Sequence, residues 1–225
     1  MKRSLVLGTS IFISGATLFS QSGQQWQTSF SAVKTSLGVT GNNAYFPLTP
    51  GLRWSYRHGP DTEVVRVLAE TKMIDEVECR VVEDREEKNG QLTELTRDYY
   101  AIDPATNDVY YMGEDVDVYK NGKVAGHEGA WRSGVNGAQF GMMLPGRPKV
   151  GQRFYQEQAP GVGMDRIEIK STAAKITTPS GTYENCVLVE ETSPIEKGVK
   201  DQKWYAKGVG PVRDSEMVLV SYGQM

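Results

Sequence analysis

The sequence predicts a mainly β protein, folded as a curved antiparallel sheet or half-barrel. Segments rich in valine, isoleucine, threonine and tyrosine recur from residue 45 onward, as strands require. Turn-forming residues separate these segments, including the Asn-Gly pairs at 89–90 and 121–122, which favour tight hairpins. The two halves of the region also resemble each other, which predicts an internal duplication of one strand unit.

The composition is that of an ordinary folded domain. The chain has 225 residues, of which 39% are hydrophobic and 24% are charged, so a single domain can bury a sizeable core. The net charge is −3. Because the protein is mildly acidic, we expect no binding to nucleic acid or to anionic lipid.

Residues 1–22 have the features of a secretory signal peptide. Lys2 and Arg3 form a basic start, residues 5–19 are apolar or small, and Ser20 and Ser22 have the spacing that signal peptidase requires. The alternative is a retained anchor helix, although the apolar run is short for a membrane span. We therefore expect a periplasmic or extracellular protein without a transmembrane span after cleavage.

Residues 23–44 are expected to form a linker or a short helix. Trp26, Phe30, Val33 and Leu37 recur at the spacing of one face of an amphipathic helix. The rest of the segment is polar and rich in serine and threonine, which leaves a simple tether as the alternative.

Residues 45–225 are expected to form one β domain. Turn signals punctuate this region at the short intervals that are typical of a meander, sandwich or barrel. No helix of convincing length is predicted after residue 40. Strands are predicted at 52–56, 62–74, 78–83, 92–103, 109–112, 116–119, 154–158, 165–178, 182–192, 202–206 and 216–222.

Three ordered matches relate a first half, residues 45–103, to a second half, residues 149–222. Chance similarity between short β segments is the alternative to duplication. The intervening residues 104–148 have no partner and are expected to form a glycine-rich insertion, and loops of this kind often carry binding sites. The matches are Gly51-Leu-Arg-Trp-Ser-Tyr56 with Gly151-Gln-Arg-Phe-Tyr155, Glu78–Asp84 with Asn185–Glu191, and Tyr99-Tyr-Ala101 with Trp204-Tyr-Ala206.

The second match contains both cysteines, Cys79 and Cys186. In an exported protein they could form a disulfide that links the halves. Alternatively, both are small buried residues on equivalent but separate strands. The chain has no Cys-x-x-Cys motif and no cluster of histidine with cysteine, so a structural zinc site is not expected.

Several motifs of the middle and end of the chain resemble a family of uncharacterised exported bacterial proteins. The resemblance covers about residues 45 to 222. It rests on Asp98-Tyr-Tyr-Ala-Ile-Asp103, Val109-Tyr-Tyr-Met-Gly-Glu-Asp115, Trp131, Gly134-Val-Asn-Gly-Ala138 and Tyr205-Ala-Lys-Gly-Val-Gly210.

The resemblance implies a fold but no activity. The ending Tyr-Ala-x-Gly-Val-Gly is also similar to a wider group of envelope domains built like the curved half-barrel of lipoprotein carriers. The sequence departs from the family pattern at Asn136, where the family has Asp, and at Tyr99, Ile102 and Phe140. If the family's Asp has a metal-binding or catalytic role, Asn136 weakens that role here.

Acidic residues near aromatic strands are the best candidates for a site. Convergent carboxylates could bind a polar ligand or Ca²⁺, or two of them could act as acid and base on a sugar. The alternative is that they are solvated charges at strand edges. Apart from Ca²⁺, no cofactor is expected. The candidate ligand-binding residues are Asp98, Asp103, Glu114, Asp115, Trp131, Asn136 and Glu157.

Nucleophilic catalysis has little support in the sequence. The chain has two histidines, His58 and His127, and the expected mature part has no Gly-x-Ser-x-Gly motif. We therefore expect a binding or accessory protein for a small polar ligand, a glycan, an ion or an envelope component. The alternatives are a secreted hydrolase that uses paired carboxylates and a structural envelope protein without a small-molecule site.

Overall fold

The structure is a computed structural model and describes residues 25–224. The expected signal peptide lies outside the described residues. Among residues 25–224, no helix has the length and apolar character that crossing a membrane would require.

The described chain forms fifteen strands in one antiparallel sheet, so the predicted mainly β fold is confirmed. The strand order is β10-β8-β5-β4-β3-β2-β1-β15-β14-β13-β12-β11-β9, and β6 and β7 also pair with β5. The strands are β1 Leu52–His58, β2 Asp61–Ile74, β3 Val77–Lys88, β4 Gln91–Ile102, β5 Val109–Lys120, β6 Lys123–Gly126, β7 Trp131–Arg132, β8 Gln139–Leu144, β9 Arg153–Tyr155, β10 Glu157–Gln158, β11 Arg166–Thr178, β12 Gly181–Thr192, β13 Asp201–Ala206, β14 Gly210–Asp214 and β15 Met217–Gln224.

The sheet curls into a barrel that is almost closed. Its two terminal strands, β9 and β10, are consecutive in the chain and are separated by Gln156 alone. No ladder joins them within the described chain, so one seam is left unsealed. This arrangement confirms the predicted curved sheet and carries its curvature further than a half-barrel.

The segment before β1 is not the amphipathic helix that its spacing suggests. Its one helical element is a 3₁₀-helix at Lys34–Ser36. Instead, Gln27 bonds in parallel to β9: its N–H donates to the carbonyl of Arg153 at 3.0 Å, and its carbonyl accepts from the N–H of Tyr155 at 3.1 Å. Phe30 packs edge-on against Tyr110 at 5.7 Å. Contacts with the sheet therefore override the helical periodicity.

Both predicted Asn-Gly turns form. Asn89 and Gly90 have φ values of 52° and 74°, and Asn121 and Gly122 have 53° and 73°. These are the left-handed conformations that a two-residue hairpin demands. The first turn joins β3 to β4 and the second joins β5 to β6. The sequence did not predict β6, β7, β8 or β14 as strands.

The two halves of the sheet have the same strand order. Strands β1 to β5 pair in sequence, and β9, β11, β12, β13 and β14 pair in the same way. The same hydrogen bond lies at the start of each series. The N–H of Gly51 donates to the carbonyl of Val67, and the N–H of Gly151 donates to the carbonyl of Ile169, both at 2.9 Å. The glycines have φ values of 89° and 86°.

The register also matches strand by strand. Trp54 lies opposite Val65 as Phe154 lies opposite Ile167, and Val82 lies opposite Asp98 as Val189 lies opposite Lys203. The equivalence continues into β5 and β14, and β5 lies in the segment expected to have no partner. In the pairing of β4 with β5, the register shifts between Tyr99 and Tyr100. In the pairing of β13 with β14, it shifts at the matching place, between Trp204 and Tyr205.

Cys79 and Cys186 are both free and fully buried. They lie on β3 and β12, which are equivalent strands of the two halves, and five strands separate them in the sheet order. The disulfide that we considered is therefore wrong, and the placement on equivalent but separate strands is confirmed.

Candidate functional site

The interior of the barrel contains a cavity of about 210 Å³. Pockets for drug-sized ligands usually measure roughly 300–1,000 Å³. The cavity is therefore suited to a small molecule. Its lining includes Trp54, Tyr56, Glu63, Val65, Val67, Val82, Asp84, Asp98, Tyr100, Tyr111, Gln156, Glu157, Asp165, Glu191, Lys203, Tyr205, Pro211, Arg213 and Asp214.

The cavity lining is strongly acidic. It includes seven carboxylates but two cationic residues, Lys203 and Arg213. The Arg213 guanidinium lies 4.9 Å from the centre of the Trp204 ring, and its Nε donates to the carbonyl of Ser215 at 2.6 Å. Because Arg213 is engaged in these contacts, Lys203 is the cation that pairs with the cavity carboxylates.

Lys203 neutralises one side of the cavity. Its Nζ lies 3.1 Å from Glu191 Oε2 and 3.1 Å from Asp214 Oδ2. Burial by itself would lower the pKa of Lys203, but the attraction of Asp214 and Glu191 outweighs it and raises the pKa well above its usual range. The ammonium group is therefore held charged between two carboxylates.

Glu63 and Asp84 form a pair of acids on neighbouring strands. Burial, together with repulsion from Asp214 and Glu86, raises the pKa of Glu63 to about 8. Burial and the charge of Glu63 raise the pKa of Asp84 well above its usual range. Asp84 Oδ1 is buried and has no hydrogen-bond partner.

Asp98 and Glu114 face each other across β4 and β5. Burial raises the pKa of Asp98 to about 7, against the effect of the Tyr111 hydroxyl, which donates to Asp98 Oδ1 at 2.6 Å. Burial and the charges of Asp98 and Glu157 raise the pKa of Glu114 to about 9. Burial also raises the pKa of Glu157 to about 8, with repulsion from Asp165 and Glu191.

Aromatic side chains complete the cavity wall. The rings of Tyr100 and Tyr111 stack with centroids 4.8 Å apart. Trp54 Nε1 donates to the carbonyl of Val209 at 2.8 Å, and the Tyr56 hydroxyl donates to the carbonyl of Pro211 at 3.0 Å. These bonds satisfy the polar ends of the side chains and fix the rings in place.

The structure brings only some of the predicted site residues together. Asp98 and Glu157 line the central cavity, and Glu114 lies close enough to interact with both. Asp103 lines neither this cavity nor the second one, and its carboxylate accepts the N–H of Ala105 at 2.9 Å in a turn. The second cavity, of about 340 Å³, is lined by Glu114, Asp115, Ala130, Trp131, Arg132, Val135, Asn136, Ala138, Ala159, Pro160 and Val162.

Asp115 does not join Asp98 and Glu114, although all three are candidate ligand-binding residues from the sequence. Its carboxylate accepts the Tyr99 hydroxyl at 2.6 Å and pairs with Arg132. Consecutive residues of a strand point to opposite faces of the sheet, so Asp115 points away from Asp98, although Glu114 and Asp115 both line the second cavity. Trp131 is near the cluster, because it lies opposite Glu114 and packs against the Tyr111 ring at 5.4 Å.

Most of the cavity residues were not predicted from the sequence. The match between the halves aligns Asp84 with Glu191, but neither residue was given a role. Strand alternation was the signal that would have found both acids. Asp84 lies on the same inner face as Val82, and Glu191 lies on the same inner face as Val189. No group of three or more His, Cys, Asp or Glu side chains within residues 25–224 is arranged to hold a metal ion. Ca²⁺ binding stays a prediction from the sequence.

Comparisons with known proteins give little further guidance. No family model matches the chain, and no curated protein matches it. One solved structure is similar: the crystal structure of "a putative lipoprotein" from Parabacteroides distasonis, with 15% sequence identity and a TM-score of 0.37. The match covers 82% of this chain and 100% of the other. A similarity this distant supports no statement about function.

Proposed function

We propose that the protein is an exported binding protein that holds a small organic cation in the interior cavity. The observation that carries this proposal is the charge of the lining, where seven carboxylates meet two cationic side chains. A buried excess of negative charge is costly unless a positive group compensates it.

The raised pKa values support a cationic ligand over an anionic or neutral one. The pKa values of Glu63, Asp98 and Glu157 are raised to about 8, 7 and 8, so these carboxyls are partly protonated near neutral pH. A bound cation would take the place of those protons. Binding is therefore expected to release protons to the solvent.

The aromatic wall supports the same ligand class. Tyr100, Tyr111 and Tyr205 line the cavity together with Trp54. Aromatic faces attract cations, by about 0.5–2 kcal/mol depending on how far the cation is desolvated. Carboxylates and ring faces together suit an amine that carries a short apolar chain.

The hydrolase alternative fits the cavity less well. Acid–base pairs need one carboxyl that is protonated and one that is ionised, so their environments must separate the two pKa values. Here five of the seven carboxyls that line the cavity have a raised pKa. They belong to Glu63, Asp84, Asp98, Glu157 and Glu191.

The export of the protein is part of the proposal and is supported by the sequence of residues 1–22. A basic start, a short apolar run and small residues at positions 20 and 22 are the features of a cleaved signal. The ligand would then come from the periplasm or from outside the cell. The acidic cavity offers nothing that would attract nucleic acid.

Titration calorimetry with a small panel of compounds tests the proposal. The cations are n-butylamine, 1,4-diaminobutane and choline, and the controls of similar size are n-butanol and butyrate. We expect at least one cation to bind at pH 7.5 and both controls to give no heat of binding. Binding of butyrate or n-butanol in preference to all cations, or no binding of any cation at millimolar concentration, would contradict the proposal.

A further inference from the structure

The two equivalent series of strands assign roles within the cavity. The first ladder is β1 to β5, and the second ladder is β9 with β11 to β14. Because the registers match, each inner-face residue of the first ladder has a counterpart in the second. Four of the five pairs, and Asp214 of the fifth, line the central cavity, while Glu114 lies opposite Asp98 and lines the second cavity. The site is thus built twice from related positions. The pairs are Glu63 with Asp165, Asp84 with Glu191, Asp98 with Lys203, Tyr100 with Tyr205 and Glu114 with Asp214.

One of these pairs breaks the equivalence of charge. In the second ladder, the central position is Lys203, and its ammonium group bonds the two flanking acids, Glu191 and Asp214, each at 3.1 Å. In the first ladder, the central position is Asp98. Its flanking acids therefore lack the cation that their counterparts have.

We infer that the ammonium group of the ligand binds among the acids of the first ladder. It takes there the role that Lys203 Nζ has in the second ladder. The acceptors are Asp84, Asp98 and Glu114. This inference rests on the proposed function and deepens it, because it names the class of cation as a primary amine and locates its charged end.

An unsatisfied atom supports this location independently of the equivalence. Asp84 Oδ1 is buried and has no hydrogen-bond partner. The equivalent residue, Glu191, has its Oε2 bonded to Lys203. An acceptor buried without a donor is costly, and a ligand N–H would satisfy it.

The number of acceptors predicts the kind of amine. A primary ammonium group has three N–H donors, which matches three carboxyl groups. A quaternary ammonium group has the same charge but no donor. Lys203 shows the primary form of the contact, since its Nζ lies at hydrogen-bond distance from both acids.

The first test compares n-butylamine with n-butyltrimethylammonium in titrations of the wild-type protein and of two variants. We expect the primary amine to bind the wild type at least about tenfold more tightly, since hydrogen bonds to charged groups are strong. Asp98→Asn should weaken its binding by about tenfold or more on the same grounds. Asp98→Lys should abolish it, because the new side chain supplies the ammonium group itself.

Asp117→Lys is the matched control. It makes the same change of charge at a residue of β5 whose side chain is 41% exposed, and Asp117 does not line the cavity. Its affinity for n-butylamine should equal that of the wild type. Equal affinity of wild type and Asp98→Lys, or equal affinity of the primary and quaternary amines, would overturn the inference and leave the proposed function standing. If no amine bound the wild type, the proposed function itself would fail.

A second variant keeps the inference testable if Asp98→Lys does not fold. Lys203→Ala removes the resident ammonium group and creates a second subsite of the same kind. Ethylamine should then raise the melting temperature of this variant more than tetraethylammonium does, and n-butylamine should bind with a stoichiometry of two. A stoichiometry of one, with no rescue by ethylamine, would contradict the inference.

Discussion

Asp98 and Lys203 occupy the same position in the two ladders of the barrel, with Val82 opposite the first and Val189 opposite the second. One position thus carries opposite charges in the two halves. In the second half the lysine compensates its neighbouring acids, and in the first half the aspartate adds to them. The binding properties that we propose follow from this one difference.

The stability of the ligand-free protein should fall as the pH rises. Burial raises the pKa values of Glu63, Glu114 and Glu157 to about 8, 9 and 8, above the value of about 4.3 for an unfolded glutamate. Between these limits the folded state binds more protons than the unfolded state, so the free energy of unfolding decreases with pH.

We expect the free energy of unfolding to fall steadily between pH 5 and pH 9, because each of these glutamates loses its extra bound proton in that window. Carboxyls with a lowered pKa, such as Asp115, do not affect this window, because their contribution is lost only below about pH 4. Urea unfolding at a series of pH values measures the trend. Stability that increases from pH 5 to pH 9 would show that the cavity acids are not buried as described.

Removing the Tyr111 hydroxyl should weaken cation binding. The hydrogen bond from Tyr111 lowers the pKa of Asp98. Tyr111→Phe deletes this bond and therefore raises the pKa, so Asp98 would be more protonated near pH 7. We expect the affinity for n-butylamine to fall about fivefold, which corresponds to about 1 kcal/mol. Calorimetric titration at pH 7 measures it.

Tyr99→Phe is the control for that experiment. Tyr99 lies on β4, the strand that carries Asp98. Its hydroxyl donates to Asp115 on the other face of the sheet. Its loss should leave the affinity unchanged. An equal loss of affinity in both variants would mean that the hydroxyls act through the fold and not through Asp98.

Both cysteines should be free and unreactive in the folded protein. Burial raises the pKa of Cys79 to about 12 and also raises the pKa of Cys186, so neither thiol ionises readily at pH 8. A thiol reagent should detect no cysteine in the native protein and two in denaturant without reductant. Detection of none in denaturant would indicate a disulfide and would require a different packing of β3 and β12.

Export predicts a shortened chain in cells. The small residues Ser20 and Ser22 place the cleavage before Gly23. Mass spectrometry of the protein from the native envelope or medium should give an N-terminus at or near Gly23. A mass that includes Met1 would rule out cleavage and favour a retained anchor.

The sequence predicts the class of fold well because strand formation depends on local patterns. The β-branched runs and the Asn-Gly turns were sufficient to locate most strands. The helix predicted from the spacing of Trp26 and Phe30 was wrong, because that segment gains more from packing on the barrel wall than from helical bonds. No local pattern shows that β9 pairs with β11 while β10, one residue further along the chain, pairs with β8.

The site was predicted less well than the fold. The candidate residues were acids near aromatic strands, so they included Asp98 and Glu114 but also Asp115, which strand alternation assigns to the other face. Lys203 was missed because a single lysine in a strand carries no signal by itself. Its meaning depends on its register with Asp98, which the ladders of the folded sheet define.

The central claim is that a primary ammonium group is bound among the acids of the first ladder. A crystal structure of the wild-type protein in complex with n-butylamine tests it most directly. We predict that the nitrogen of the ligand lies within hydrogen-bond distance of Asp98 and of Asp84 Oδ1, with the butyl chain against Tyr100. Electron density for the amine elsewhere, with this part of the cavity filled by water, would contradict the account.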